Sequence, residues 1–432
     1  MVTSPAEQSA ARWVGALFLL IVLLQRFAVP GVPLLAVLVP VVLLWVAAGL
    51  VHGVVTIDRT RLAWWFAAAT ATAITMLLQP WLVPGAQISV TAWGLVLAVW
   101  LPFTVRLIER GAPAYLAMLR YVTTISTGLA WLALIMVGVQ LSGVAYRDWF
   151  AAIVPSALQL DGFVLTYPIA DGSTIFRANA WIGLEPSMVS AQLGLGLLAA
   201  LFVRARIWTV IVLVLGLVST VSGSGIIIVL VGGLVMLLHR SRRLLGGGHI
   251  PLAVTAAIAS TFTPFGIVLI DRSTEYQSAG SSTSLRALEP YSVLYPAWIE
   301  HLPGMLLGYG PGSAQRVVND TNVPGLLVPS PVKVFFEYGI IAGLVLAAFI
   351  LGCYWGSPSR TFSLSLLCSL LLLQPGITTI VVVAPLLVLV TLWSPRVGPP
   401  IESILPERRS ADRWRSARPT ARSRDIGSGV YG

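Results

Sequence analysis

Charge is what this chain has least of. Only 10% of its 432 residues are charged and 57% are hydrophobic, against roughly 25% charged in soluble domains, which excludes an ordinary water-soluble domain. Cysteine is scarcer still: Cys353 and Cys368 are the only two, and neither a disulfide framework nor a cysteine-based metal site can be built from them. Histidine is limited to His52, His239, His249 and His301, scattered too widely for a zinc site, so no metal is expected. The apolar runs lack an isolated Asp, Glu or Lys at mid-span, apart from Lys333 and Glu337 near one end, which argues against an ion or proton pathway. No repeat at solenoid spacing and no duplication between the halves is visible, so an inverted-repeat transporter gains no support.

What is present is a series of apolar runs, each long enough for a bilayer core of about 30 Å. Twelve spans are predicted: Trp13–Val29, Val32–Val51, Leu62–Leu82, Ile88–Val105, Tyr121–Val144, Pro186–Val203, Ile207–Val221, Gly225–Leu238, Pro251–Ile270, Val332–Leu351, Phe362–Leu373 and Ile377–Trp393. Helix is the expected form, because a spanning backbone must satisfy its own polar groups and barrel strands would be shorter and alternating. The fold class is therefore an all-α integral membrane protein.

The cationic loops set an orientation. With the N-terminus cytoplasmic, 20 of the 27 basic residues fall on the inner side, eight of them in the tail from Arg396 to Arg424. The outer side keeps Arg26, Arg147, Arg177, Arg272, Arg286, Arg316 and Lys333. Every short basic loop then lies inside, which places both termini in the cytoplasm and the protein in the cytoplasmic membrane. The formal charge of +10 reads as topology signal plus a basic tail near anionic lipid, not as nucleic-acid binding. The first run leads straight into a second span without a small-x-small cleavage site, so it reads as a retained helix and not a signal peptide. Residues 1–393 form the membrane domain and 394–432 a disordered cytoplasmic tail.

Two outer connections are long, Ala145–Glu185 and Asp271–Pro331, where about 4–6 residues is usual. Ten of the 17 acidic residues lie on the outer side, mostly in these loops. Arginine binds phosphate oxygens bidentately and keeps its charge, so an outward, arginine-bearing loop beside apolar helices suggests a lipid-linked phosphate substrate. Arg26 and Arg272 adjoin span ends and read as snorkelling residues, while Arg147 beside Asp148 reads as a loop salt bridge. Gly308-Tyr309-Gly310-Pro311-Gly312-Ser313 lacks the Lys-Ser/Thr of a nucleotide loop and reads as a turn that lets backbone approach a substrate or another helix. Ser330 and Pro331 are the expected N-cap and first position of the next helix. Lys333 and Glu337 share one face at i, i+4 and can neutralise each other. Gly339 and Gly343 make a small-xxx-small packing face.

Taken together, Arg286, the aromatic stretch Tyr295-Pro296-Ala297-Trp298, the Gly308–Gly312 turn and Glu337-Tyr338-Gly339-Ile340-Ile341-Ala342-Gly343 resemble the C-terminal half of O-antigen polymerases and O-antigen ligases. Glu185-Pro186-Ser187 is also similar to that family's pattern. The resemblance implies a polytopic C-type glycosyltransferase that uses a polyprenyl-pyrophosphate-linked glycan on the outer face without a metal or other cofactor. It further implies that Arg286 and Arg177 bind the pyrophosphate, and that Glu300, His301 or Glu185 positions or deprotonates the acceptor hydroxyl. A chain-length regulator and a lipid-glycan flippase are the implied partners. Two positions depart from the family. Gly225 stands where an arginine usually follows Thr220-Val221-Ser222-Gly223-Ser224, and Val328-Pro329-Ser330 occupies the region of a ligase histidine. Either Arg177, Arg316 or Lys333 then supplies the missing cation, or the activity has diverged. The alternatives are a polyprenyl-monophosphate-dependent transferase, disfavoured because Pro30-Gly31 carries no acidic pair, and a flippase or exporter of the same glycans.

Overall fold

The computed structural model describes residues 4–163, 165–169, 172–238, 289–321, 326, 328–372 and 376–404. The expected span Pro251–Ile270, Arg286, His239, His249 and the chain beyond Ile404 lie outside the described residues.

The described chain is mostly helical. Its first nine helices are α1 (Pro5–Leu23), α2 (Leu38–Val51), α3 (Arg59–Leu82), α4 (Val90–Trp100), α5 (Ala112–Leu141), α6 (Trp149–Ile153), α7 (Pro186–Phe202), α8 (Ile207–Ser219) and α9 (Gly223–Leu238). After the undescribed stretch come α10 (Glu289–Ile299), α11 (Leu302–Leu307), α12 (Ser313–Asp320), α13 (Ser330–Tyr354), α14 (Arg360–Leu372), α15 (Ile380–Leu389) and α16 (Ile401–Ile404). Among the described residues, α1, α3, α5 and α13 are long and apolar enough to cross a membrane, and seven further apolar helices are shorter.

Local chemistry sets the helix starts. Ser4 and Glu7 form a reciprocal capping box at α1, with Pro5 in its first turn, so two otherwise orphan amides are satisfied. Asp58 and Ser89 cap α3 and α4 through their side-chain oxygens. Three predicted spans, Trp13–Val29, Val32–Val51 and Ile88–Val105, begin or end as strand instead. Ala28–Val29 (β1) pairs antiparallel with Val32–Ala36 (β2), because Gly31 takes a positive φ of 81° and Pro33 holds Val32 extended. The expected span Ile88–Val105 is α-helical only to Trp100; it tightens at Leu101–Thr104, where Pro102 removes a donor, and ends in Val105–Leu107 (β4), paired with Val55–Ile57 (β3). At the other boundary, α5 begins at Ala112, not Tyr121.

The core sits around α7 and α15. All of α7 except Ala191 and Leu201 is buried, and all of α15 except Val382, as expected of helices that are apolar on every side. Helix α7 packs against α5, α8 and α9, and α3 packs along α13. The α7–α9 crossing is close enough to exclude side chains: a Cβ on Gly194 would stand 2.6 Å from the Gly225 carbonyl oxygen. Ser190 Oγ accepts the Gly225 amide at 3.1 Å and donates to the Ser222 carbonyl at 3.0 Å. Gly225 is therefore a contact of bare backbone, and an arginine has no room there.

Gly225→Ala forces the α7–α9 crossing apart and is expected to lower stability by about 1–3 kcal/mol. Gly138→Ala, on an open face of α5, removes a helix-interior glycine and is expected to leave stability unchanged or slightly higher. Thermal unfolding in detergent compares the two; equal effects would refute the packing role.

Candidate functional site

Helix α13 is broken. Gly339 has φ 68° and ψ −178°, a conformation only glycine adopts without strain, and a Cβ there would run into the Leu306 carbonyl oxygen. The break diverts backbone carbonyls of the preceding turn. The Phe336 carbonyl accepts from the Tyr309 amide at 2.9 Å, and the Glu337 carbonyl from the Gly310 amide at 3.0 Å. Gln79 Nε2, from α3, donates to both the Glu337 carbonyl (2.9 Å) and the Leu307 carbonyl (2.6 Å). On its other side the turn pairs with the entrance to α4: the Gln87 amide donates to Tyr309 O at 2.9 Å, and the Ser89 amide to Pro311 O at 3.1 Å. Gly308, Gly310 and Gly312 all have positive φ. The Gly308–Gly312 turn thus uses its freedom to approach another helix, with the Tyr309 and Gly310 amides consumed by that docking. Gly339, read from sequence as part of a packing face, is instead the point where α13 changes direction. The helix starts at Ser330, one residue earlier than expected, and the Ser330 hydroxyl makes no capping bond.

Within two turns before the break lies the only lysine of the chain. Lys333 Nζ is 3.2 Å from Glu337 Oε1, and the two side chains are 11% and 1% exposed. The expected i, i+4 pair is present. Both Glu337 carboxylate oxygens are buried and accept no aligned hydrogen bond, so the carboxylate is held by charge and its hydrogen-bonding capacity is unused. On a different face of the same turns, α10 and the start of α13 line an apolar cavity of about 220 Å³, formed by Tyr291, Leu294, Tyr295, Trp298, Pro331, Val332, Phe335 and Phe336. The module built from α10, α11 and α12 has a small core of its own, in which Leu294, Ala314 and Val318 meet Phe336. The Tyr309 ring stacks on Phe336 at 5.0 Å, and its hydroxyl donates to the Ala297 carbonyl at 2.6 Å.

The other predicted residues fall into two places. Glu300 and His301 join α10 to α11, exposed and 4.0 Å apart. Burial first, and then the Glu300 charge, raise the Tyr309 hydroxyl above its ordinary pKa. Arg316, on α12, donates to the Gln87 carbonyl at 2.7 Å and the Gly312 carbonyl at 3.4 Å, so it ties this module to α4. Arg177 and Glu185 belong to the earlier long loop. Arg177 Nε donates to the Pro168 carbonyl at 3.1 Å, and its guanidinium lies over the Tyr167 ring. Glu185 is buried immediately before α7 and accepts from Ser187 Oγ at 3.0 Å.

Two arginines differ from expectation. Arg26 does not snorkel: it is 2% exposed, grips Asp148 through two contacts of 2.9 and 2.6 Å and donates to the Trp181 carbonyl at 2.6 Å. Asp148 is therefore taken, and Arg147 lies instead over the Trp149 ring at 4.7 Å. Gln140 adds a second anchor for the loop, bonding both the amide and the carbonyl of Phe176. Adjacency in sequence pointed to Arg147; the partner that a buried guanidinium required was 122 residues away.

Comparison of the chain with protein-family models, with curated proteins and with solved structures found no match.

Asp148 supplies a test of the loop anchor. Burial opposes its ionisation, but the Arg26 hydrogen bond, the Ala151 amide and the Arg26 charge together hold its carboxyl below the usual range. A lowered carboxyl pKa contributes stability above the unfolded value of about 3.9, and that contribution is lost as pH falls through the folded value. Asp148→Asn is expected to lower the melting temperature at pH 7, with the gap to wild type closing below about pH 4. A gap that stays constant with pH would show that the charge of Asp148 is not what anchors the loop.

Proposed function

We propose that this protein is a metal-independent glycosyltransferase of the cytoplasmic membrane, with about twelve spans, that polymerises or ligates polyprenyl-pyrophosphate-linked oligosaccharide units at the outer face. The observation that carries the reading is the first two turns of α13, which hold the buried Lys333–Glu337 pair and also give Pro331, Val332, Phe335 and Phe336 to the lining of the apolar aromatic cavity. One short stretch of helix thus offers a surface suited to a prenyl chain and, on another face, a cation suited to its phosphate. Resemblance to O-antigen polymerases and ligases over Glu185 to Gly343 supports the same reading, as does the gathering of Arg316, Glu300 and His301 on the one docked module.

In this reaction the acceptor hydroxyl oxygen bonds to the anomeric carbon while the bond from that carbon to the pyrophosphate oxygen breaks. The leaving polyprenyl pyrophosphate carries away the electron pair. Arg286, Arg177, Arg316 and Lys333 are the cations available to stabilise its developing charge, an electrostatic role that needs fixed donors in a site of low dielectric. The hydroxyl proton passes to Glu300, His301 or Glu185. With Gly225 closed to any side chain by the α7–α9 crossing, the cation that the family carries at that place has to come from these residues, and Lys333 is the one already buried on the helix that also lines the apolar cavity.

Reconstitution in liposomes with a polyprenyl-pyrophosphate-linked oligosaccharide tests the proposal: longer glycans and free polyprenyl pyrophosphate should accumulate together. Lys333→Met is expected to cut turnover by about a hundredfold. Because removing one partner of a buried pair costs about 3–5 kcal/mol, the paired variant Lys333→Met with Glu337→Leu serves as the folding control. It should recover the melting temperature but not the activity. Translocation of the lipid-linked glycan without elongation would replace the transferase by a flippase.

A further inference from the structure

At the other ends of the long helices, where α3 and α5 begin, three arginines gather around one carboxylate. Arg61 is in the first turn of α3, Arg106 lies on β4 opposite Thr56 of β3, and Arg110 is in the short link to α5. Asp58 accepts the Arg61 amide at 3.2 Å and lies 3.8 Å from its guanidinium. Arg61 spends its remaining donors on the Thr391 carbonyl at 2.9 Å and the Val105 carbonyl at 3.3 Å. Arg61 is thereby satisfied within the protein.

Arg106 and Arg110 are not. Arg106 Nε and Arg110 Nε and Nη1 are shut off from solvent without any hydrogen-bond acceptor. Glu7 gives Oε2 to the Ser4 amide at 2.9 Å and turns Oε1 toward Gly111, with no ion pair to either arginine. Burial, and after it the Arg106 charge, pull Arg110 below the ordinary guanidinium range, with Asp58 opposing. A guanidinium does not escape by losing its proton. Two of them side by side in a half-buried place therefore call for an anion from outside the chain.

The surroundings identify the kind of anion. Ile57, the last residue of β3, and Ile108, just past β4, are 46% and 50% exposed, and Trp64 on α3 is 49% exposed. Exposed aliphatic surface at the end of two candidate membrane-crossing helices, with a tryptophan just beyond, marks the level where lipid headgroups meet acyl chains. We propose that Arg106 and Arg110 form a binding site for the phosphate of an anionic phospholipid, with its acyl chains lying against Ile108, which shares the face of Arg106 along the strand. Paired guanidinium forks match phosphate oxygens bidentately, and basic pockets beside membrane helices recognise acidic headgroups by this chemistry. The site is separate from the module at the α13 break and does not depend on the transferase reading.

The full-length protein, purified in detergent from membranes containing phosphatidylglycerol, is expected to retain that lipid in native mass spectra. Retention should fall about fivefold for each arginine removed in Arg106→Gln and Arg110→Gln. Arg59→Gln is the control for loss of charge alone, since Arg59 is exposed and sits about 200° from Arg61 around α3; it should retain the lipid. In nanodiscs, wild type should melt higher in phosphatidylglycerol than in phosphatidylcholine, and the double variant should not. Should the double variant fail to accumulate, Arg110→Gln alone, in the loop, carries the test. Unchanged retention in that variant, an equal loss in Arg59→Gln, or stabilisation of wild type in phosphatidylcholine by inorganic phosphate alone would each overturn the lipid site.

Discussion

A carbonyl released inside an apolar helix must be met by another donor, because lipid offers none. The break at Gly339 imposes that demand on α13, and the α10–α12 module is held in place by the answer. Tyr309 and Gly310 give their amides to Phe336 and Glu337, Gln79 reaches across from α3, and the far edge of the same turn pairs with Gln87 and Ser89. The module's own core is small, so burial of side chains fixes it less than this backbone seam does. Its position relative to α3, α4 and α13 follows from main-chain geometry, which leaves its surface residues free to vary.

The same seam explains why a buried ion pair sits at this point. A lysine and a glutamate in an apolar helix are costly, and the cost is acceptable where the helix is already interrupted and polar groups already converge. The contrast with Arg26 and Asp148 is instructive. That pair is bidentate, adds a backbone carbonyl and the face of Phe150, and uses most of its hydrogen-bonding capacity inside the protein. It behaves as an anchor for the first long loop. Lys333 and Glu337 meet by charge, with both carboxylate oxygens otherwise unbonded, so they keep capacity for something else. By this criterion the α13 pair, not the Arg26 pair, is the one whose carboxylate keeps hydrogen-bonding capacity in reserve.

What was legible in the sequence follows from range. Long apolar runs announce helices because the signal is local and strong, and the helices of α1, α3, α5 and α13 lie where the runs are. The i, i+4 relation of Lys333 and Glu337 was legible for the same reason. Misreadings arose where a distant partner decided. Val32–Ala36 is as apolar as a helix, but the Pro30-Gly31 turn folds it back on Ala28–Val29. Gly339 and Gly343 have the spacing of a packing face, yet Leu306 and Gly308 press on Gly339 and select its positive φ. The arginine missing at Gly225 looked like a lost catalytic group; the close backbone of Gly194 and Ser190 shows what the position is used for.

Counting basic residues by loop treats every arginine as equivalent, which is adequate for orientation and misleading for chemistry. Arg61 is committed to backbone carbonyls and Arg26 to a carboxylate, while Arg316 gives Nε and Nη2 to the Gly312 and Gln87 carbonyls. Arg106 Nε and Arg110 Nε and Nη1 are buried without an acceptor in the chain. Since a guanidinium keeps its charge wherever it is placed, the useful distinction is between cations whose counter-charge or acceptors are supplied internally and those whose partners must arrive from outside. That distinction cannot be drawn from spacing, because acceptors such as the Thr391 carbonyl for Arg61 lie 330 residues away. Among the described residues it divides the arginines into those that hold the fold together and those that hold the molecule to something else.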